Sequence, residues 1–200
     1  MATVSVVSTT ALSKVISSIL SQKLSLFDAL VRKHGATKAG NLFKSTCPMV
    51  GATIGQHIRH SMDHIELTIL LADSINEVKG SDPIHLHYDL RVRGGTAESE
   101  MDASKKRILD AAAILEDMPD LSSNRCKSFP VQANFMLSGD GIEFGLPSTI
   151  DREMGFVAHH AIHHMAMIRL IAIHHAGLEP QDLPPDFGRA PSTMHHDHNS

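Results

Sequence analysis

The sequence predicts an all-α fold: a four-helix bundle with one small β-hairpin between its third and fourth helices. Four long segments repeat apolar residues at the helical period, and one segment between the third and the fourth alternates with period two. Histidines gather on the second and fourth of these helical segments, which directs attention to what the bundle holds. A chain of 200 residues fits one domain with a substantial core. Residues 1–200 are therefore read as a single domain, with the bundle over about 10–176 and an extended tail over about 179–200.

The first helix runs from about Thr10 to His34, with Leu12, Val15, Ile16, Ile19, Leu20, Leu24, Phe27 and Leu30 at helical spacing and Gly35 as its stop. The second begins at Thr53, where Gln56 three residues on completes a capping box, and ends near Ile75. The third follows Gly94-Gly95, with Thr96 as cap and Glu98 and Glu100 favoured by the helix dipole, and stops at Pro119. Val131, Ala133, Phe135 and Leu137, then the turn Ser138-Gly139-Asp140-Gly141, then Ile142, Phe144 and Leu146 predict the hairpin. The fourth helix opens at Ser148, paired with Asp151, and reaches about Ala176-Gly177. From Glu179 the chain is proline-rich and expected to be extended and partly disordered.

A formal net charge of -4 without clustered Lys or Arg excludes nucleic-acid binding that rests on a basic surface. Cys47 and Cys126 are too few for a disulfide framework. No uninterrupted apolar run reaches the ~18 residues of a spanning helix, so no membrane partner is expected. The expected location is cytoplasmic. Organellar targeting is the alternative, since no acidic residue precedes Asp28, but arginine is also absent there and the stretch keeps core spacing. Leu67 and Leu70, off the main stripe of the second helix, suggest a homodimer.

His159, His160, His163 and His164 lie within two turns of the fourth helix, and His160 and His164 share nearly one face, one turn apart. At 100° per residue they lie at about -80° and -40° from Ile150, beside the apolar stripe of Met154, Ala161, Met165, Ile168 and Ala172. His57, His60 and His64 border the stripe of the second helix in the same way. Two helices so marked would bring imidazoles together inside a bundle, where metal sites of such folds are built. Rise along the axis excludes His175, about 16 Å beyond His164. Geometry alone leaves His60 and His64 both open as the partner.

Gly55-Gln56-His57-Ile58-Arg59-His60-Ser61-Met62-Asp63-His64, taken with His160-Ala161-Ile162-His163-His164, resembles the histidine pattern of the DinB-like superfamily. The resemblance implies a four-helix bundle of DinB-like type with parallel neighbours across the long connection from Ser81 to Gly95. It also implies His60, His160 and His164 as the ligands of a divalent metal, and an activity like that of the superfamily's metal-dependent transferases of low-molecular-weight thiols. Met165-Ala166-Met167 departs from the Arg-Gly-Gln that many members carry after the last histidine, which bears on any activity needing those polar groups.

Three imidazoles leave coordination positions open, the layout of a catalytic site, and Zn, Ni and Fe all accept imidazole. The expectation is a metal-dependent enzyme, a transferase or hydrolase activating a thiol or water, with a small-molecule substrate. The alternative is a non-catalytic metal-binding stress-response or interaction protein. Glu153 and Asp63 are candidates for carboxylates that orient imidazoles. Tyr88, Asp89 and Arg91 are further candidates, on a polar loop before the third helix.

Overall fold

The structure, a computed structural model, describes residues 9–75, 77, 80, 82–90, 94–118 and 129–199. The chain is mostly helical with a small three-stranded sheet. In order it forms α1 (Thr9–His34), α2 (Ala36–Lys44), α3 (Ile54–Ser74), β1 (Ile84–His87), α4 (Thr96–Ser99), α5 (Met101–Asp117), β2 (Pro130–Met136), β3 (Glu143–Thr149), α6 (Ile150–His174) and α7 (Pro191–His198). The core lies between α1, α3, α5 and α6, and Leu20, Leu26 and Leu30 of α1, Ile58, Met62 and Ile65 of α3 and Met154, Ala161 and Ile168 of α6 are among its buried residues. The helix–helix interface with the most contacts joins α3 and α6, the two helices that carry the histidine clusters.

Several expected boundaries hold. Thr53 accepts from Gln56 N at 2.9 Å while Gln56 Oε1 accepts from Thr53 N at 3.0 Å, so the capping box fixes the start of α3. Others move. Gly35, at φ 74, ends α1 and at once caps α2, a short helix that periodicity did not announce. The third periodic segment is broken at Glu100, whose extended backbone separates α4 from α5; its expected end at Pro119 lies outside the described residues. The cap of α6 is Thr149, which accepts from Arg152 N, while Ser148 turns its hydroxyl to Glu153.

The expected hairpin is present as β2 and β3, antiparallel with Ala133 opposite Leu146. A strand not anticipated, β1, adds to it in parallel with Leu86 beside Ala133, giving the order β1-β2-β3. As an edge strand, β3 tolerates Pro147. The tail is not extended: a 3-10 turn over Pro180–Asp182 and then α7 carry it back along the helices, burying Leu183 and Phe187. Lys33 Nζ donates to Asp182 at 2.9 Å and holds the start of this strap to α1. By length and composition α6 could cross a membrane, but here it is packed on α1 and α3. Leu67 and Leu70 of α3 are exposed at 36% and 52%.

Lys23 is the conspicuous exception within the core. It is fully buried on α1 and donates to Ser61 Oγ at 2.6 Å, and the Ser61 hydroxyl in turn donates to Ile58 O. Burial brings its pKa down to about 7, with the Arg107 guanidinium acting in the same direction and Glu66 opposing. The unfolded chain holds this proton up to the ordinary lysine value of 10.5, so between pH 7 and that value it binds more protons than the folded chain. Stability should therefore climb with pH across that window, with the full penalty in force below it. Lys23→Met is expected to be more stable by about 1–4 kcal/mol at neutral pH and to lose most of the climb. Urea unfolding at both ends of the window checks this. Equal pH dependence in the two proteins would show that Lys23 is not its source.

Candidate metal centre

The apolar stripes of α3 and α6 face each other, so the histidines beside each stripe come together at the rim of that interface. His160 Nε2 lies 3.2 Å from His60 Nε2 and 3.1 Å from His164 Nε2. Each residue of this set offers a ligand nitrogen within 4.8 Å of the others. Tetrahedral ligands at the usual Zn–N distance are about 3.3 Å apart, so the observed spacing fits one ion. His160 Nε2 stands at hydrogen-bond distance from both partner nitrogens. A shared cation would accept all three lone pairs.

His57 closes the arrangement from behind. Its Nδ1 is 2.9 Å from Nδ1 of His164, and when His164 donates that proton its Nε2 keeps the lone pair directed at His160. Burial, then the neighbouring His160 and His60, lower the His164 pKa to about 2, so the ring is neutral, the form that ligates. His57 is lowered too, chiefly by burial. His64 approaches from the other side: its ring stacks on His160 at 4.3 Å and stands 4.7 Å from His60. Five imidazoles thus surround the position, three of them with convergent Nε2 or ring nitrogens at ligand spacing.

Aromatic residues wall one side. Phe156 lies against His160, Phe135 against Phe156, and Tyr88 between Phe135 and His64, stacked on the latter at 4.8 Å. The Tyr88 hydroxyl donates to Glu153 Oε2 at 2.7 Å and stands 3.0 Å from Thr68 Oγ1. Burial, with the Glu153 charge beside it, pushes its pKa well above the usual tyrosine range, so it remains a donor.

The carboxylates proposed from sequence are engaged elsewhere. Glu153 is fully buried and accepts from Tyr88, Ser148 and Arg152, and the Tyr88 ring that it holds stacks on His64. Asp63 turns to Arg59 at 2.9 Å and Arg107 at 2.7 Å, part of an ionic network with Glu66 and Glu98 that joins α3 to α4 and α5. Asp89 accepts from Met136 N at 2.8 Å and anchors the end of β2. Arg91 lies outside the described residues. Of the α3 histidines beside the stripe, His64 was open as a ligand alongside His60, whereas the contacts of His57 with His164 and of the Phe135–Phe156 pair with His160 were not foreseen from sequence. A cavity of about 350 Å³ opens on another face of α6, between α1 and the tail, with Ile162 and Met194 in its wall.

No known protein family matches the chain, and no solved structure matches it. It is similar to a protein named FK506-binding protein 5 from Rhizopus delemar, 33% identical over 112 residues. The match takes in 56% of this chain and 27% of that protein, so the chain spans a minor part of its relative's length.

Proposed function

We propose that this chain is a metal-binding four-helix bundle of DinB-like type, and that it acts as a metal-dependent enzyme on a low-molecular-weight thiol or on water, as a transferase or hydrolase. The observation that carries the reading is the convergence of His60, His160 and His164 on one point, with His160 Nε2 within 3.2 Å of both partners. A divalent ion such as Zn, Ni or Fe held there would act as a Lewis acid, making a bound thiol or water more acidic.

The chain's own residues divide the remaining work. His57 fixes the tautomer of His164, and the Phe135, Phe156 and Tyr88 rings keep water from one side of the imidazoles. Glu153 and Thr68 hold the Tyr88 ring against His64. His60 and His160 remain partly exposed, and a small substrate would approach from their side. A second reading, binding without turnover, draws on His64. Its ring lies close enough to both His60 and His160 for a modest rotation to supply a fourth ligand and close the shell.

Cobalt-substituted protein separates the two. Under the enzymatic reading, adding a small thiol changes the cobalt absorption, and the protein accelerates transfer of that thiol to an electrophile. A spectrum indifferent to thiols and equally indifferent to azide, with loss of the four-coordinate signature in His64→Ala, would establish the closed shell instead.

A further inference from the structure

A second pair of imidazoles lies on the sheet. His85 and His87 are two residues apart on β1, so both side chains leave one face of the strand while Leu86 between them is buried on the other. Their rings stand 6.1 Å apart with planes inclined by only 19°. The register sets His85 beside Gln132 and His87 beside Asn134. From the first residue of β3, Glu143 reaches over to His87, whose Nδ1 donates to Oε2 at 2.7 Å.

That hydrogen bond decides the chemistry available at His87. A neutral imidazole that gives its one proton from Nδ1 to a carboxylate keeps Nε2 as a lone pair, the arrangement in which histidine most often binds metals. The His87 side chain is 42% exposed, whereas that of Glu143 is only 16% exposed, and its Oε1 is buried without a hydrogen bond among the described residues. An isolated His–Glu ion pair would account for His87 alone. It leaves unexplained the parallel, exposed imidazole of His85 at the neighbouring position of the same face.

We propose that His85 and His87 form a second metal site, at the surface, which chelates a divalent transition ion through two imidazoles, with Glu143 as the positioning residue for His87. Copper(II) should bind most tightly, following the general order of divalent ions at nitrogen ligands. Rotation of the exposed His85 ring brings its free nitrogen to the ion. The site is separate from the helical histidines and does not depend on the function proposed for them.

The test uses the full chain titrated with copper(II) after saturation with zinc, followed by electron paramagnetic resonance and the visible copper band. One copper equivalent with a two-nitrogen signature is expected. His85→Ala and His87→Ala should each abolish that signature, Glu143→Ala should weaken binding about 10–100-fold, and Glu143→Gln, which still accepts the Nδ1 proton, should restore part of it. The triple variant His195→Ala, His196→Ala, His198→Ala should keep the signature. The signature should persist in His160→Ala as well, so failure of the helical site and failure of this one are read separately. Unchanged copper affinity and spectrum in the His85→Ala, His87→Ala double variant would overturn the proposal, as would loss of the signature in the tail variant alone.

Discussion

Under the proposed function, replacing His160 with alanine is expected to abolish tight binding of a divalent ion and, with it, the stability that binding would lend the fold. His160 is the hub: its Nε2 is the atom in contact with both other nitrogens. A ligand bound only to the folded chain, at 100 to 1,000 times its dissociation constant, stabilises by about 2.7–4.1 kcal/mol, and that increment should disappear from the variant. Without metal the two proteins should differ far less, since the substitution also relieves three crowded nitrogens. Elemental analysis and thermal unfolding with and without zinc check both halves. His174→Ala and His195→Ala should retain one tight equivalent. Acid acts in the same direction as the variant, because the unfolded chain takes up a proton at His164 below pH 6.5 while the folded ring resists it down to about 2. If His160→Ala kept a full equivalent while a tail variant lost it, the binding site would be the tail.

Gly55→Ala should unfold the protein more readily than any other single methyl added to a glycine that keeps ordinary backbone angles. A Cβ there would stand 2.1 Å from Glu98 O, 2.9 Å from Glu98 C and 2.8 Å from Phe43 Cε1. The first two are backbone, so no side-chain rotation clears them. Separating α4 from α3 would also pull apart the 2.8 Å pair between Arg59 and Glu98. Alanine gains up to about 1 kcal/mol of helix propensity over glycine, but overpacking against fixed atoms costs about 1–3 kcal/mol and sets the sign. Gly155→Ala on α6 makes the contrast, because nothing lies within 4 Å of its Cβ and only the propensity gain remains. Opposite shifts of the urea midpoint are expected. A stabilised Gly55→Ala protein would mean that α4 does not rest on α3 at this point.

The long helices were legible because each repeats its buried residues for several turns, and Thr53 with Gln56 announced a start that is local in sequence. Where the signal was short or its cause distant, sequence reading stopped. In α2 only Ala39 and Phe43 are buried, too brief a stripe to register. In β1 only Leu86 is buried, and the strand exists because β2, far along the chain, offers it an edge. The tail folds back because the core accepts Leu183 and Phe187, which its own composition cannot disclose. On α6 the i, i+4 histidine pair was readable, since its geometry is intrinsic to a helix. Whether His60 or His64 completes it was not, because both flank one stripe and only the packing of α3 on α6 directs the nitrogen of one inward and the ring face of the other. Asp63 illustrates the same limit: its partner Arg107 comes from another helix, and no spacing in the chain foretells it.

His60 and His160 meet across a sequence separation of 100 residues, which bears on the order of events during synthesis. A ribosome releases the first half of the pair long before the second, so a nascent chain holds α3 histidines with nothing opposite them. Closing so long a loop is among the later steps of folding, since its entropy must be met before the contact returns anything. Under the proposed function, a complete metal site therefore belongs only to the finished protein.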